Sequence, residues 1–212
     1  MRLVNGELLK YDPASHTWNV PVEEIPRAPV MTTASGVVID YLNPTEFEVR
    51  ESDIAYAAGN ICRYNGARKV LLLEHFALCT TLATRIEGAS PRLLGLVAMH
   101  DFAETVLGDI VTGLKRLLPE YRVLESRWER HFWNHFGYDH PTEDEAAFVR
   151  RVDLRALVVE THCTAHPVHG ITAHWHGGLP SQTEADTFGC LRYCGPVRQW
   201  EITINAVHAG AK

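Results

Sequence analysis

The chain has 212 residues, 46% hydrophobic and 22% charged, with a formal net charge of −6 and a pI near 6.0. This suits one soluble globular domain, residues 1–212, with a core of its own. The acidic balance argues against a nucleic-acid partner, which would need a basic face, and no apolar run approaches the roughly 20 residues that span a membrane.

Residues 1–35, rich in Pro and Thr and without helical period, predict a small irregular or short-stranded lead. They lack the apolar stretch of a signal peptide. Segments 37–41 and 47–49, joined by Asn43-Pro44, predict a small hairpin. From Ser52, the expected N-cap of a helix over 53–63, the pattern turns helical. Apolar residues Val70, Leu71, Phe76, Leu78 and Leu82 at mixed i+3 and i+4 steps predict a helix over 68–85. Ser90-Pro91 starts a third helix, to about 107, by the rule that proline suits the first helical position, and Gly108 ends it. A short turn covers 110–117. Pro119 starts a helix through Phe136, which Gly137 ends, and Pro141-Thr142 caps a long one to about 162. Two further helices are expected near 184–191 and 197–207. The layout is all-α, with a core of about 50–162 and a C-terminal helical extension over 180–209.

His100-Asp101 ends an apolar segment, and Glu104 follows at i+4 and i+3. On a continuous helix these three side chains would share a face. An imidazole and two carboxylates so crowded repel or protonate unless a cation joins them. His75, among Leu71, Leu72, Phe76 and Leu78, reads by itself as a core histidine. Asp153, between Val152 and Leu154, reads by itself as a partner for Arg150, Arg151 or Arg155.

Taken together, the order His75, His100-Asp101, Asp153 resembles the signature of the HD-domain metal-dependent phosphohydrolases. The resemblance extends to Asp53-Ile54-Ala55, Asn60-Ile61-Cys62-Arg63-Tyr64, Glu74-His75, His100-Asp101-Phe102-Ala103-Glu104, and Gly108-Asp109-Ile110 with Lys115. These runs, over roughly 37–160, are similar to the branch that hydrolyses deoxynucleotides, which includes bacterial 5'-deoxynucleotidases and dATP triphosphohydrolases of certain phages.

The resemblance implies an HD-domain helical bundle and a divalent metal ion (Zn, Co, Mn, Fe or Mg) held by His75, His100, Asp101 and Asp153. Two imidazoles and two carboxylates suit several such ions. It makes Glu104 the general acid/base and gives Asp109 the orienting of water or the leaving oxygen. It assigns Arg63, Tyr64 and Lys115 to the substrate, Arg63 offering a planar fork for phosphate oxygens. A dNTP triphosphohydrolase of the dATP type is expected first, a 5'-deoxynucleotidase acting on dNMPs second, and a catalytically degenerate nucleotide-binding protein third. Relatives assemble, so a homo-oligomer is expected, in the cytoplasm of a bacterium or a phage-infected host. That compartment agrees with an odd set of five cysteines lacking framework spacing.

The chain departs from the pattern at Leu71-Leu72-Leu73, where relatives carry a small polar residue and Val-Ala, and at Thr112-Gly113-Leu114, where many carry proline. Adenine selectivity is therefore open. His162, His166, His169, His174 and His176 crowd beside Cys163 without a closed zinc spacing and read as a polar loop. His131 and His135 read as a packed helix face, and Cys190 and Cys194 lack the Cys-x-x-Cys spacing.

Overall fold

The computed structural model describes residues 2–4, 7–12, 17–21, 30–86, 88–164 and 178–211. The fold is an all-α bundle behind a small stranded lead. Strands β1 (Arg2–Val4), β2 (Glu7–Asp12) and β3 (Thr17–Pro21) form an antiparallel meander. Strands β4 (Val30–Thr32) and β5 (Val38–Asp40) pair antiparallel, with Met31 opposite Ile39.

The expected hairpin thus forms with a different partner: β5 turns back onto the segment before it, not onto 47–49. The reason is local. Thr33 N donates to Val37 O at 2.8 Å, and Gly36 takes φ +87, which closes the β4–β5 turn. Pro44, with no N–H to give a ladder, instead opens a 3-10 turn over Pro44–Glu46.

Helix α1 (Glu51–Ala58) begins after Arg50, not Ser52, and stops at Gly59, short of the expected 63. Residues 61–63 turn back to meet 70–72. Arg63 N donates to Val70 O (2.8 Å) and Leu72 N to Ile61 O (2.9 Å). Helix α2 (Leu72–Ala83) therefore starts later than expected. Helix α3 (Pro91–Ala98) has the expected cap, with Ser90 accepting from Leu93 N.

The expected helix to 107 is broken. Residues 99–103 form a turn between α3 and the one-turn α4 (Glu104–Leu107), which Gly108 ends at φ +82. His100 and Asp101 lie on that turn, so His100, Asp101 and Glu104 do not share the face of one helix. Then follow α5 (Thr112–Lys115), α6 (Pro119–His135) and α7 (Glu143–Thr164). Thr142 and Glu145 exchange hydrogen bonds at the start of α7. Helix α8 (Gln182–Gly210) is interrupted at Gly195-Pro196, between the two helices expected there.

Helices α2 and α3 form the centre and pack on α7 and α8. One core layer gathers Phe76, Phe102, Trp128 and Phe132, and a second gathers Leu78, Cys79, Val152, Val159 and Phe188. The α3–α8 approach is close: a Cβ on Gly95 would lie 3.1 Å from Ala206 O of α8, and 1.7 Å from Oη of Tyr138, which lies between α6 and α7. His131 donates to Phe47 O at 3.1 Å and packs edge-on to Trp128, in line with a packed helix face. Most of the histidine-rich 162–176 stretch lies outside the described residues.

Candidate metal centre

The layers bring three separate elements to one point. His75 comes from α2, His100 and Asp101 from the α3–α4 turn, and Asp153 from α7. His75 Nε2 lies 3.2 Å from His100 Nε2, 3.5 Å from Asp101 Oδ2 and 3.4 Å from Asp153 Oδ1. His100 Nε2 lies 3.2 Å from Asp101 Oδ2 and 3.8 Å from Asp153 Oδ1. An ion with bonds of about 2.1 Å spaces adjacent ligand atoms by about 3.0 Å in an octahedron and about 3.4 Å in a tetrahedron. Four of the five spacings, at 3.2–3.5 Å, lie close to these values, and the His100–Asp153 spacing of 3.8 Å is wider.

The hydrogen bonds behind the rings set which nitrogens face inward. His100 Nδ1 donates to Val97 O (2.7 Å), and His75 Nδ1 donates to Glu160 Oε1 (2.7 Å). Both protons therefore sit on Nδ1 in the neutral rings, leaving two Nε2 lone pairs and two carboxylate oxygens to face one another. Burial opposes a charge on His100, yet Asp101 and Asp153 hold its pKa well above the usual imidazole value. Burial alone would raise Asp101, but His100 and His75 hold it well below the carboxylate range. This donor set fits a divalent cation, which would compete with protons for the same nitrogen and oxygen atoms. The His75 side chain is fully buried, whereas Asp101 and Asp153 are 23% and 36% exposed, so the cluster opens to solvent on the carboxylate side.

Cys79, one helical turn after His75, also belongs to this group: His75, Cys79, His100 and Asp153 could hold a metal ion, their donor atoms lying within 4.8 Å of one another. Its Sγ contacts both ring nitrogens of His75, at 3.5 Å and 3.8 Å, so it lies against the ring and not along the Nε2 lone pair. Asp101, within 3.5 Å of both Nε2 atoms, is the better-placed fourth donor.

Around this cluster stand the residues that the resemblance assigned to the substrate. Arg63, nearly buried, places Nη1 3.3 Å from Asp101 and Nε 3.5 Å from Glu160. Tyr64 N donates to Asp109 Oδ2 (2.9 Å) and its hydroxyl to Glu160 Oε2 (2.6 Å). Asp109 thus anchors the Arg63-Tyr64 turn through one of its oxygens. Glu104 Oε1 accepts from Lys115 Nζ at 2.7 Å, and Lys115 also pairs with Glu125 of α6. Glu104 Oε2 is buried and, among the described residues, without a partner. Burial, reinforced by Asp101 and opposed by Lys115, pushes the Glu104 carboxyl up to about 8. Burial and Glu125 push Glu129, one turn beyond Glu125, to about 7.

Sequence reasoning missed Cys79, Glu125 and Glu160. Glu160 had a signal: it follows Asp153 at i+7, two turns along one face of an apolar helix. Cys79, among apolar neighbours, reads as an ordinary buried thiol, and Glu125 reads as a solvated helix residue.

No protein-family profile matches the chain. Part of it is similar to the uncharacterized protein YfdR of Escherichia coli, 34% identical over 97 residues, which cover 45% of this chain and 51% of the relative. It is also similar to an uncharacterized protein of Rhodobacter capsulatus, 31% identical over 99 residues, covering 44% and 50%. The chain spans about half the length of the curated relatives it matches, and neither relative's name states an activity. No helix among the described residues is long and apolar enough to cross a membrane.

Proposed function

We propose that this chain is a metal-dependent hydrolase of deoxynucleoside phosphates, with a dNTP of the dATP type as first-choice substrate. One observation carries the reading: His75, His100, Asp101 and Asp153 converge beside a buried arginine and a buried carboxyl of raised pKa. The four residues would hold the ion, which when bound lowers the pKa of water and polarises a phosphoryl oxygen.

The remaining work falls to the chain's own groups. Arg63 presents a guanidinium to phosphate oxygens once Asp101 is engaged by the cation. Glu104 holds a proton at Oε2, the oxygen not taken by Lys115; as water adds to phosphorus and the bond to the leaving oxygen breaks, it gives that oxygen this proton and takes up the one that water loses. Lys115 keeps that carboxyl in place and adds positive charge next to the phosphate. Asp109 and Glu160 hold the turn that carries Arg63 and Tyr64.

The test is to incubate Mn-loaded protein with dNTPs and dNMPs and resolve the products by ion exchange. Deoxynucleoside plus triphosphate from a dNTP supports the reading. Orthophosphate from a dNMP moves it to a 5'-deoxynucleotidase. Binding without turnover makes the chain a catalytically degenerate nucleotide-binding protein, and neither binding nor turnover overturns the reading.

A further inference from the structure

We infer that Glu160 is a positioning residue that serves both halves of the centre, so that one carboxylate sets the geometry of the metal ligand His75 and of the anion-facing pair Arg63-Tyr64. The inference rests on the hydrolase reading above. Glu160 is fully buried on α7, and its two oxygens are divided. Oε1 accepts from His75 Nδ1 at 2.7 Å, while Oε2 accepts from Tyr64 Oη at 2.6 Å and lies 3.5 Å from Arg63 Nε. A carboxylate behind a ligating imidazole fixes its ring and raises its basicity. Here the same carboxylate reaches past the ligand to the phosphate side.

The backbone gives independent support. Tyr64 and Asn65 take φ +59 and +51, a region that non-glycine residues rarely adopt and that persists only where surrounding contacts hold it. Tyr64 is held at both ends, by Asp109 at its N–H and by Glu160 at its hydroxyl. The guanidiniums of Arg63 and Arg68 each lie 5.6 Å from its ring centroid. Arg63 also stands between two acids. A cation that takes the charge of Asp101 releases Nη1 toward a phosphate oxygen, and Glu160 keeps the guanidinium from leaving.

The test uses Mn2+ alone and inorganic phosphate as probes, on the full chain. Glu160→Gln should weaken Mn2+ binding roughly 10- to 100-fold. At saturating Mn2+, it should also weaken phosphate binding several-fold. Tyr64→Phe keeps the ring and removes one donor to Glu160, which then accepts more strongly from His75. The His75 Nδ1 proton resonance should move downfield in this variant, whether metal-free or Zn-loaded. Wild-type phosphate affinity in Glu160→Gln at saturating Mn2+, or an unmoved resonance in Tyr64→Phe, overturns the inference. A wild-type chain that binds no Mn2+ strikes instead at the hydrolase reading, and the metal-free resonance still decides the link between Tyr64 and His75.

Discussion

Asp101→Asn is the sharpest probe of the centre, because Asn keeps the shape of the side chain and removes its charge. In the wild-type chain, a metal held at 100 times its dissociation constant stabilises the folded state by about 2.7 kcal/mol. For a domain of this size each kcal/mol moves Tm by about 2–4 °C, so the expected rise is about 5–11 °C. Asp101 Oδ2 is within 3.5 Å of both imidazole nitrogens, so on the proposed assignment its loss removes a donor. If affinity falls about 100-fold, the same metal concentration contributes only about 0.4 kcal/mol, a rise of about 1 °C. The assay is thermal unfolding of EDTA-stripped protein with and without Mn2+. The metal-free variant should also be less stable than wild type near pH 7. Asp101 has a depressed pKa, so its contribution is present above the unfolded value near 3.8 and is lost as pH falls through the folded one. An equal metal-induced rise in wild type and Asp101→Asn would refute the ligand assignment.

Glu104→Gln should lower kcat by about 10²- to 10⁴-fold, the usual worth of a general acid, with Mn2+ affinity changed by no more than a few-fold, as titration would show. Because the Glu104 pKa is raised to about 8, the metal-free wild type gains most from this residue at low pH and loses that contribution as pH rises from about 4.5 to 8. Urea midpoints between pH 5 and 8 should slope less steeply in Glu104→Gln. Gly95→Ala should cost about 1–3 kcal/mol in denaturant unfolding, since the new methyl meets Tyr138 Oη, which donates to Val207 O at 2.6 Å. Phe102→Ala should cost about 3–5 kcal/mol by the same measurement, because its buried ring packs against Phe76, Phe132, Phe136 and Trp200 directly after the His100-Asp101 turn.

Much of the bundle was readable from the chain, because the signals are local. Ser90-Pro91 and Pro141-Thr142 start helices, Gly108 and Gly137 stop them, and apolar spacing gives their inward faces. The hairpin partner was not readable, since 37–41 could pair on either side until the Thr33–Gly36 turn closed. Nor was the break at 99–103, where apolar residues continue without a proline or glycine, so period alone runs straight through.

Of the centre, the four candidate ligands were legible as types in an order, and only the resemblance, no local signal, implied that they converge. His75 and Asp153 each have an ordinary structural explanation in their own helix. Glu160 meets His75 only when α2 and α7 pack together, and Lys115 meets Glu104 and Glu125 only across α4, α5 and α6, whereas Cys79 touches His75 within α2 itself. Local sequence sets backbone preference and which face is apolar. The distance between groups tens of residues apart depends on how the buried faces interlock, and the charge and proton affinity of the centre follow from that distance.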